Sequence, residues 1–307
     1  MNRIYNILFS ETTKDKVEKG ILYLAIFSFI CHLILIYVSE WNLHGEWTKG
    51  ALFKNPISAI YTPFSFILIY EVYLLIYYVP KSFTTYIIKQ YEIITLIIIR
   101  KLFKDLASLE LTTQWFEIKD DLQFTFDILA SLILFFLIFQ FQKEGSRTRA
   151  DEFTPGPSLL KFIHRKKIIA IVLIPLFLGL ALVTFSNWFI ELQQTPGKVT
   201  AFESINNLFF DEFFTILIMV DVVLLLLSFF YTNKFHIVMR NSGFIVSTIL
   251  IRLSFGVEGL ISTILVVMAV VFGLFIIIIH NKFEKYGHRL TYIEWTTLYW
   301  HSSKLIH

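Results

Sequence analysis

Between Leu260 and Ile279 the chain reads LISTILVVMAVVFGLFIIII, twenty residues without one charged side chain. The hydrocarbon core of a bilayer is about 30 Å thick, and an α-helix needs about 20 apolar residues to cross it. A core helix of a soluble protein would carry a charged or strongly polar face at helical spacing. None is present here, so the run reads as a transmembrane helix. The same test applied outward along the chain predicts spans at 20–39, 60–79, 124–142, 168–188, 208–231 and 257–280. Two further segments, 84–103 and 236–255, are apolar but carry internal charge. Each is expected either to cross the bilayer or to lie in its interface.

Composition agrees with this reading. Hydrophobic residues make up 56% of the 307, charged residues only 17%, and the mean hydropathy is +0.65. Thirty-three Phe and fourteen Tyr supply more aromatic surface than one soluble core needs. The predicted fold class is an all-α, polytopic transmembrane helical bundle, embedded in and in contact with a lipid bilayer.

Several function classes are not expected. The net charge of +3 is small, and no basic patch is interleaved with exposed aromatics, so no nucleic-acid partner is predicted. The single cysteine, Cys31, lies inside an apolar run. It supports neither a disulfide framework nor a multi-cysteine metal site. Haem would need facing histidines at matched depth; His32, His236 and His280 come nearest, and the last two sit at helix ends. No Gly-rich phosphate loop, His-Glu-x-x-His or nucleophile elbow occurs. The expectation is therefore no cofactor, no metal, no catalytic residue and no enzymatic activity. Arg3, Lys14, Lys16 and Lys19 precede the first apolar run and no small-residue cleavage site follows it. That run is expected to be a retained helix.

Loop charge predicts the topology, because Lys and Arg accumulate on the cytoplasmic side. Lys143, Arg147, Arg149, Lys161, Arg165, Lys166 and Lys167 crowd the stretch 143–167. The N-terminus and the tail with Lys282, Lys285, Arg289 and Lys304 are basic too. All three segments fall on one side only if 84–103 and 236–255 both span. The result is eight spans with both termini cytoplasmic, in what is expected to be the cell (inner) membrane. The acidic loop 104–123 then lies outside, and Arg100 and Lys101 at an outer helix end dissent from the rule. Trp41, His44 and Trp47, and Trp295, Tyr299 and Trp300, read as interfacial belts.

The two halves resemble one another. Glu71 follows Phe66-Ile-Leu-Ile-Tyr, and 29 residues later Arg100 ends Ile97-Ile-Ile-Arg. Asp221 follows Thr215-Ile-Leu-Ile-Met-Val, and 31 residues later Arg252 ends Ile249-Leu-Ile-Arg. This suggests a tandem repeat, with four spans in 1–142 and four in 168–307. Halves of four spans each run in the same sense through the membrane, and such repeats are common in transporters. The connection 143–167 is expected to be irregular, since Glu144-Gly145-Ser146 and Thr154-Pro155-Gly156-Pro157 disfavour helix.

A charge at bilayer depth costs about 2.5–3.5 kcal/mol on insertion scales, so it faces the bundle interior and finds a partner. His32, Glu71, Lys89 and Glu92 fall at similar depths, with Arg100 nearer the outer surface; Asp221 and Arg252 are the second-half counterparts. Two readings follow. In one, these groups line an ion or proton pathway of a channel or ion-coupled carrier. In the other, they are structural ion pairs, Glu71 with Lys89 or Arg100 and Asp221 with Arg252 or Arg240. The chain would then be a non-transporting scaffold or accessory subunit, with a membrane partner protein or a second copy as its partner. An acid on one helix facing basic residues on the next is similar to voltage-sensor domains. The span 124–142, however, lacks the arginines at every third position that such a resemblance requires.

Overall fold

The computed structural model describes residues 2–40, 59–108, 119–149, 157–194, 202–232, 234–257 and 259–303. Among them are nine α-helices and no strand. They are α1 (Asn2–Leu8), α2 (Glu11–Glu40), α3 (Tyr61–Tyr78), α4 (Phe83–Ser108), α5 (Lys119–Arg149), α6 (Pro157–Gln194), α7 (Phe202–Phe229), α8 (Phe235–Ser254) and α9 (Leu260–Ser303).

Six of them, α2 and α5 to α9, are long and apolar enough to cross a membrane. The chain is an integral membrane protein with an all-helical architecture. Of the two segments left open by the sequence, 236–255 forms α8 and meets this standard. The other, 84–103, forms α4 and does not. The shorter apolar helix α3 has 18 residues, about 27 Å at 1.5 Å per residue.

Local chemistry sets the helix boundaries. Pro80 has no N–H to continue α3, and the turn closes with Lys81 N–H donating to the Tyr78 carbonyl (3.0 Å). Ser82 then caps α4, its Oγ accepting from Thr85 N–H at 3.2 Å. Ser10 does the same for α2 through Thr13 N–H (3.1 Å). The α8–α9 connection turns at Gly259, whose φ of +76° is open to glycine and rarely to other residues.

Neighbours in sequence pack together: α2 on α3, α3 on α4, α4 on α5, and again α6 on α7, α7 on α8, α8 on α9. The two groups join where α5 lies along α9 and α4 meets α8, with α3 touching α6. Large side chains are sorted in the reverse of a soluble protein. Phe135 and Phe27 are 73% and 66% exposed, whereas Tyr86 and Asp221 are 0% exposed. Apolar groups on the outside meet lipid at no penalty, while polar groups in hydrocarbon must find partners within the protein. Tyr91 stands edge-on to Phe141 at 5.0 Å, and Phe141 packs on Phe244 at 5.4 Å, tying α4, α5 and α8 together.

The expected irregular connection at 143–167 is largely helical. Helix α5 runs on through Gly145 to Arg149, and α6 begins at Pro157. Gly145 promotes close approach rather than a break: a Cβ there would lie 2.8 Å from Thr84 Cγ2 on α4. The cation-rich stretch from Lys161 to Lys167 belongs to the first turns of α6. The expected outer loop is shortened to the same effect, since α4 continues to Ser108 and α5 starts at Lys119. The Trp41–Trp47 belt lies outside the described residues, as do the side chains of the C-terminal belt.

Candidate functional site

Helix α4 organises the interior. Its positions Tyr86, Ile87 and Tyr91 are fully buried, and it touches α3, α5 and α8. Tyr86 and Gln90 stand one turn apart on one face, as do Thr248 and Arg252 on α8. Asp221 of α7 meets all four. Tyr86 Oη donates to Asp221 Oδ1 at 2.8 Å. Gln90 Nε2 lies 3.3 and 3.4 Å from the two carboxylate oxygens. Thr248 Oγ1 donates to Oδ2 at 3.5 Å, and Arg252 Nη1 lies 2.9 Å from Oδ2 as an ion pair. Arg252 Nη2 also donates to Gln90 Oε1 at 2.9 Å. The result is a closed polar cluster drawn from α4, α7 and α8, with every member inaccessible or nearly so.

Two extensions border it. At the adjacent positions, Tyr91 Oη and Ser247 Oγ are 2.6 Å apart, and Ser247 donates to the Ala269 carbonyl of α9 at 2.6 Å. On the other side lies Lys166 of α6, 2% exposed. Its ammonium donates to the Lys81 carbonyl and sits over the rings of Phe83 (5.0 Å) and Phe162 (5.4 Å). Asp221 is the charged group that acts on it electrostatically. Comparison with family models, with curated proteins and with solved structures gives no match. The chemistry of this chain therefore has to be argued from its own residues.

The structure distributes the sequence-derived candidates over separate places. Glu71, which is buried, and the partly exposed Arg100 form an ion pair between α3 and α4. Lys89 and Glu92 pair along α4 at 2.5 Å, each about 30% exposed. Gln142 of α5 donates to the same Glu92 at 2.6 Å, and the Lys89 ammonium lies over the Tyr78 ring at 5.4 Å. His32 reaches Thr62 at the start of α3. Arg100 is eight residues beyond Glu92, or about 12 Å along the axis, so the Glu71 and Glu92 carboxylates belong to different pairs. Asp221 and Arg252 are together. Arg240, weighed as another partner for Asp221, instead approaches His280 Nε2 (3.1 Å) and Asn241.

Sequence reasoning missed several members. Asp127, 1% exposed, lies 3.1 Å from Lys101. It also accepts from Thr263 (2.5 Å) and from Gln123 (2.8 Å). Arg100 and Lys101, the dissenting cations at one end of α4, are thus each matched by a buried carboxylate, Glu71 and Asp127. Tyr86, Gln90 and Thr248 were legible only as spacing, polar residues at i and i+4 on otherwise apolar helices. Lys166 was counted with the loop cations and gave no separate signal. Among the described residues no group of three His, Cys, Asp or Glu side chains is placed to hold a metal ion.

Proposed function

We propose that this chain is a membrane transport protein, an ion channel or an ion- or proton-coupled carrier, whose polar route follows the seam between two four-helix halves. The observation that carries the proposal is the cluster of Tyr86, Gln90, Asp221, Thr248 and Arg252. It draws on both groups of helices where they meet. Transporters built from parallel repeats hold their substrate sites at this location. Burying five polar side chains there, rather than apolar ones of similar size, has no advantage for packing alone.

Eight spans in two halves, 1–142 and 168–307 with 143–167 between them, fit the same reading. Glu71–Arg100 and Asp221–Arg252 are ion pairs at corresponding places, each linking the second and third long helices of its half. The pairings α4 with α8 and α5 with α9 are compatible with a two-fold axis along the membrane normal, although α3 also touches α6. Charged residues disqualify α4 by hydropathy, yet a helix enclosed by other helices need not be apolar on every face. Both termini are then cytoplasmic, in the cell membrane. Glu71 and Glu92, with Lys89, Arg100 and His32, line the first-half flank of the route.

The test is flux of Na⁺, K⁺, H⁺ and Cl⁻ in liposomes containing the purified chain. Gln90→Leu and Asp221→Asn should lower the flux at least tenfold, with Glu71→Gln and Glu92→Gln probing the flank. Absence of any flux overturns the proposal. A second reading, a scaffold or accessory subunit, draws support from the pairing of Glu71, Glu92, Asp127 and Asp221 each with a cation. Purification of a stable complex with a membrane partner, together with no flux, would favour it.

A further inference from the structure

Helices α8 and α9 approach tightly at Gly243, where a Cβ would stand 2.7 Å from Ile276 Cγ1. Toward the start of α8 bulkier side chains hold them apart, and a half-open groove of about 230 Å³ lies between them. Phe235 and Met239 of α8 and Ile279 and Phe283 of α9 form its walls, each about half exposed or more. The floor is polar but closed on itself. The rings of His236 and His280 are 5.2 Å apart. His280 Nδ1 donates to the His236 carbonyl at 3.2 Å, so its Nε2 accepts from Arg240 Nη1 at 3.1 Å and the imidazole is neutral. What the groove presents to its surroundings is therefore almost wholly carbon. An apolar cavity stays dry, and inside a bilayer the group at hand to fill it is an acyl chain.

The mouth of the groove is cationic. Lys234 precedes α8, and Lys282 and Lys285 lie on α9 where the span ends; all three are exposed, with Glu284 as the acid among them. Arg165 of α6 stands over the ring of Tyr231 at 5.7 Å, just before the turn into α8. The groove thus opens on the membrane face that carries the basic first turns of α6. We propose that it holds an acyl chain of a phospholipid whose anionic headgroup lies among Lys234, Lys282 and Lys285. Three lysines against one glutamate favour a headgroup with net negative charge over a zwitterionic one. A free phosphate would meet the same lysines but leave the apolar walls uncovered. The site does not depend on transport, and a negative flux assay would leave this inference standing.

The experiment is native mass spectrometry of the purified full chain in dodecyl maltoside micelles, doped with dioleoyl phosphatidylglycerol or dioleoyl phosphatidylcholine at equal mole fraction. Wild type should retain phosphatidylglycerol at least about tenfold over phosphatidylcholine. Lys234→Gln, Lys282→Gln and Lys285→Gln combined should cut that preference below about threefold. Lys16→Gln with Lys19→Gln, exposed positions on α2, which packs on α3, should leave it unchanged. Ile279→Trp fills the groove and should lower retention of both lipids, with Met239→Trp as the second variant if the first fails to fold. Equal retention of the two lipids by wild type would overturn the proposal. So would an equal loss of preference in the α2 variant, which is general charge attraction, or full retention in the groove variants. Displacement of the lipid by millimolar inorganic phosphate would overturn it too, since the ligand would then be the phosphate group alone.

Discussion

The contact between α4, α8 and α9 at Gly273 offers a direct test of the packing. A Cβ built on Gly273 meets Tyr91 Oη far inside van der Waals distance, with Ser247 Oγ at 3.1 Å. Tyr91 has no room to retreat, because its ring abuts Phe141 edge-on. Gly273→Ala must therefore either overpack the junction, at about 1–3 kcal/mol, or push Tyr91 off Ser247 and lose a hydrogen bond worth about 1 kcal/mol. Either way a loss of about 1–3 kcal/mol is expected. Tyr91→Phe alone should cost only about 1 kcal/mol, because Ser247 retains its bond to Ala269. It also removes the atom that collides. In the double variant Tyr91 Cζ and Ser247 Oγ still lie 3.1 Å from the added Cβ, so the alanine should cost less than in wild type without becoming neutral, and the combined loss falls below the sum of the singles by about 1 kcal/mol. Reversible unfolding in mixed micelles measures all four corners of the cycle. Additivity within ~0.5 kcal/mol, or a neutral Gly273→Ala, would refute the geometry.

Two further outcomes follow from burial and topology. Glu71→Gln leaves the largely enclosed Arg100 without its counter-ion and should destabilise by about 3 kcal/mol, whereas Lys89→Ala, in a more open pair, should cost less than about 1 kcal/mol; similar losses in the two variants would show that the Glu71–Arg100 pair is no better enclosed than Lys89–Glu92. In a Cys31→Ser background, a cysteine replacing Thr112 should react with an impermeant thiol reagent from outside intact cells, and one replacing Ala150 should not. Labelling of both positions, or of Ala150→Cys alone, would overturn the eight-span topology.

Much of the fold could be read in the sequence because membrane helices are specified by length and apolarity. The segments 20–39, 124–142 and 168–188 each fall inside a single helix. Helix ends were less legible. Gly145 and Ser146 carry the composition of a break, yet tertiary packing against Thr84 keeps α5 helical through them. The candidate site was legible only in part. Glu71, Arg100, Asp221 and Arg252 stand out because a charge in an apolar run is conspicuous. Their assignment to pairs depends on which helices touch, and spacing along one chain does not determine that. Tyr86, Gln90 and Thr248 are neutral and common at helix surfaces, so their convergence on Asp221 is visible only once α4 meets α7 and α8. Asp127 was passed over for lying at the edge of a run valued for its hydrophobicity.

The dependence of α4 on later helices has a consequence for how the protein is made. Gln90 finds its partner in Arg252, 162 residues further along. At about 5–20 residues per second of synthesis, α4 waits on the order of ten seconds or more for that partner. Throughout that interval Tyr86 and Gln90 lack their α7 and α8 partners, whereas Arg100 and Lys101 have theirs in Glu71 and Asp127 of the first half. A nascent chain halted before α7 would hold an α4 whose Tyr86 and Gln90 lack Asp221 and Arg252. Synthesis of α7 and α8 is thus the event that completes the polar contacts of α4.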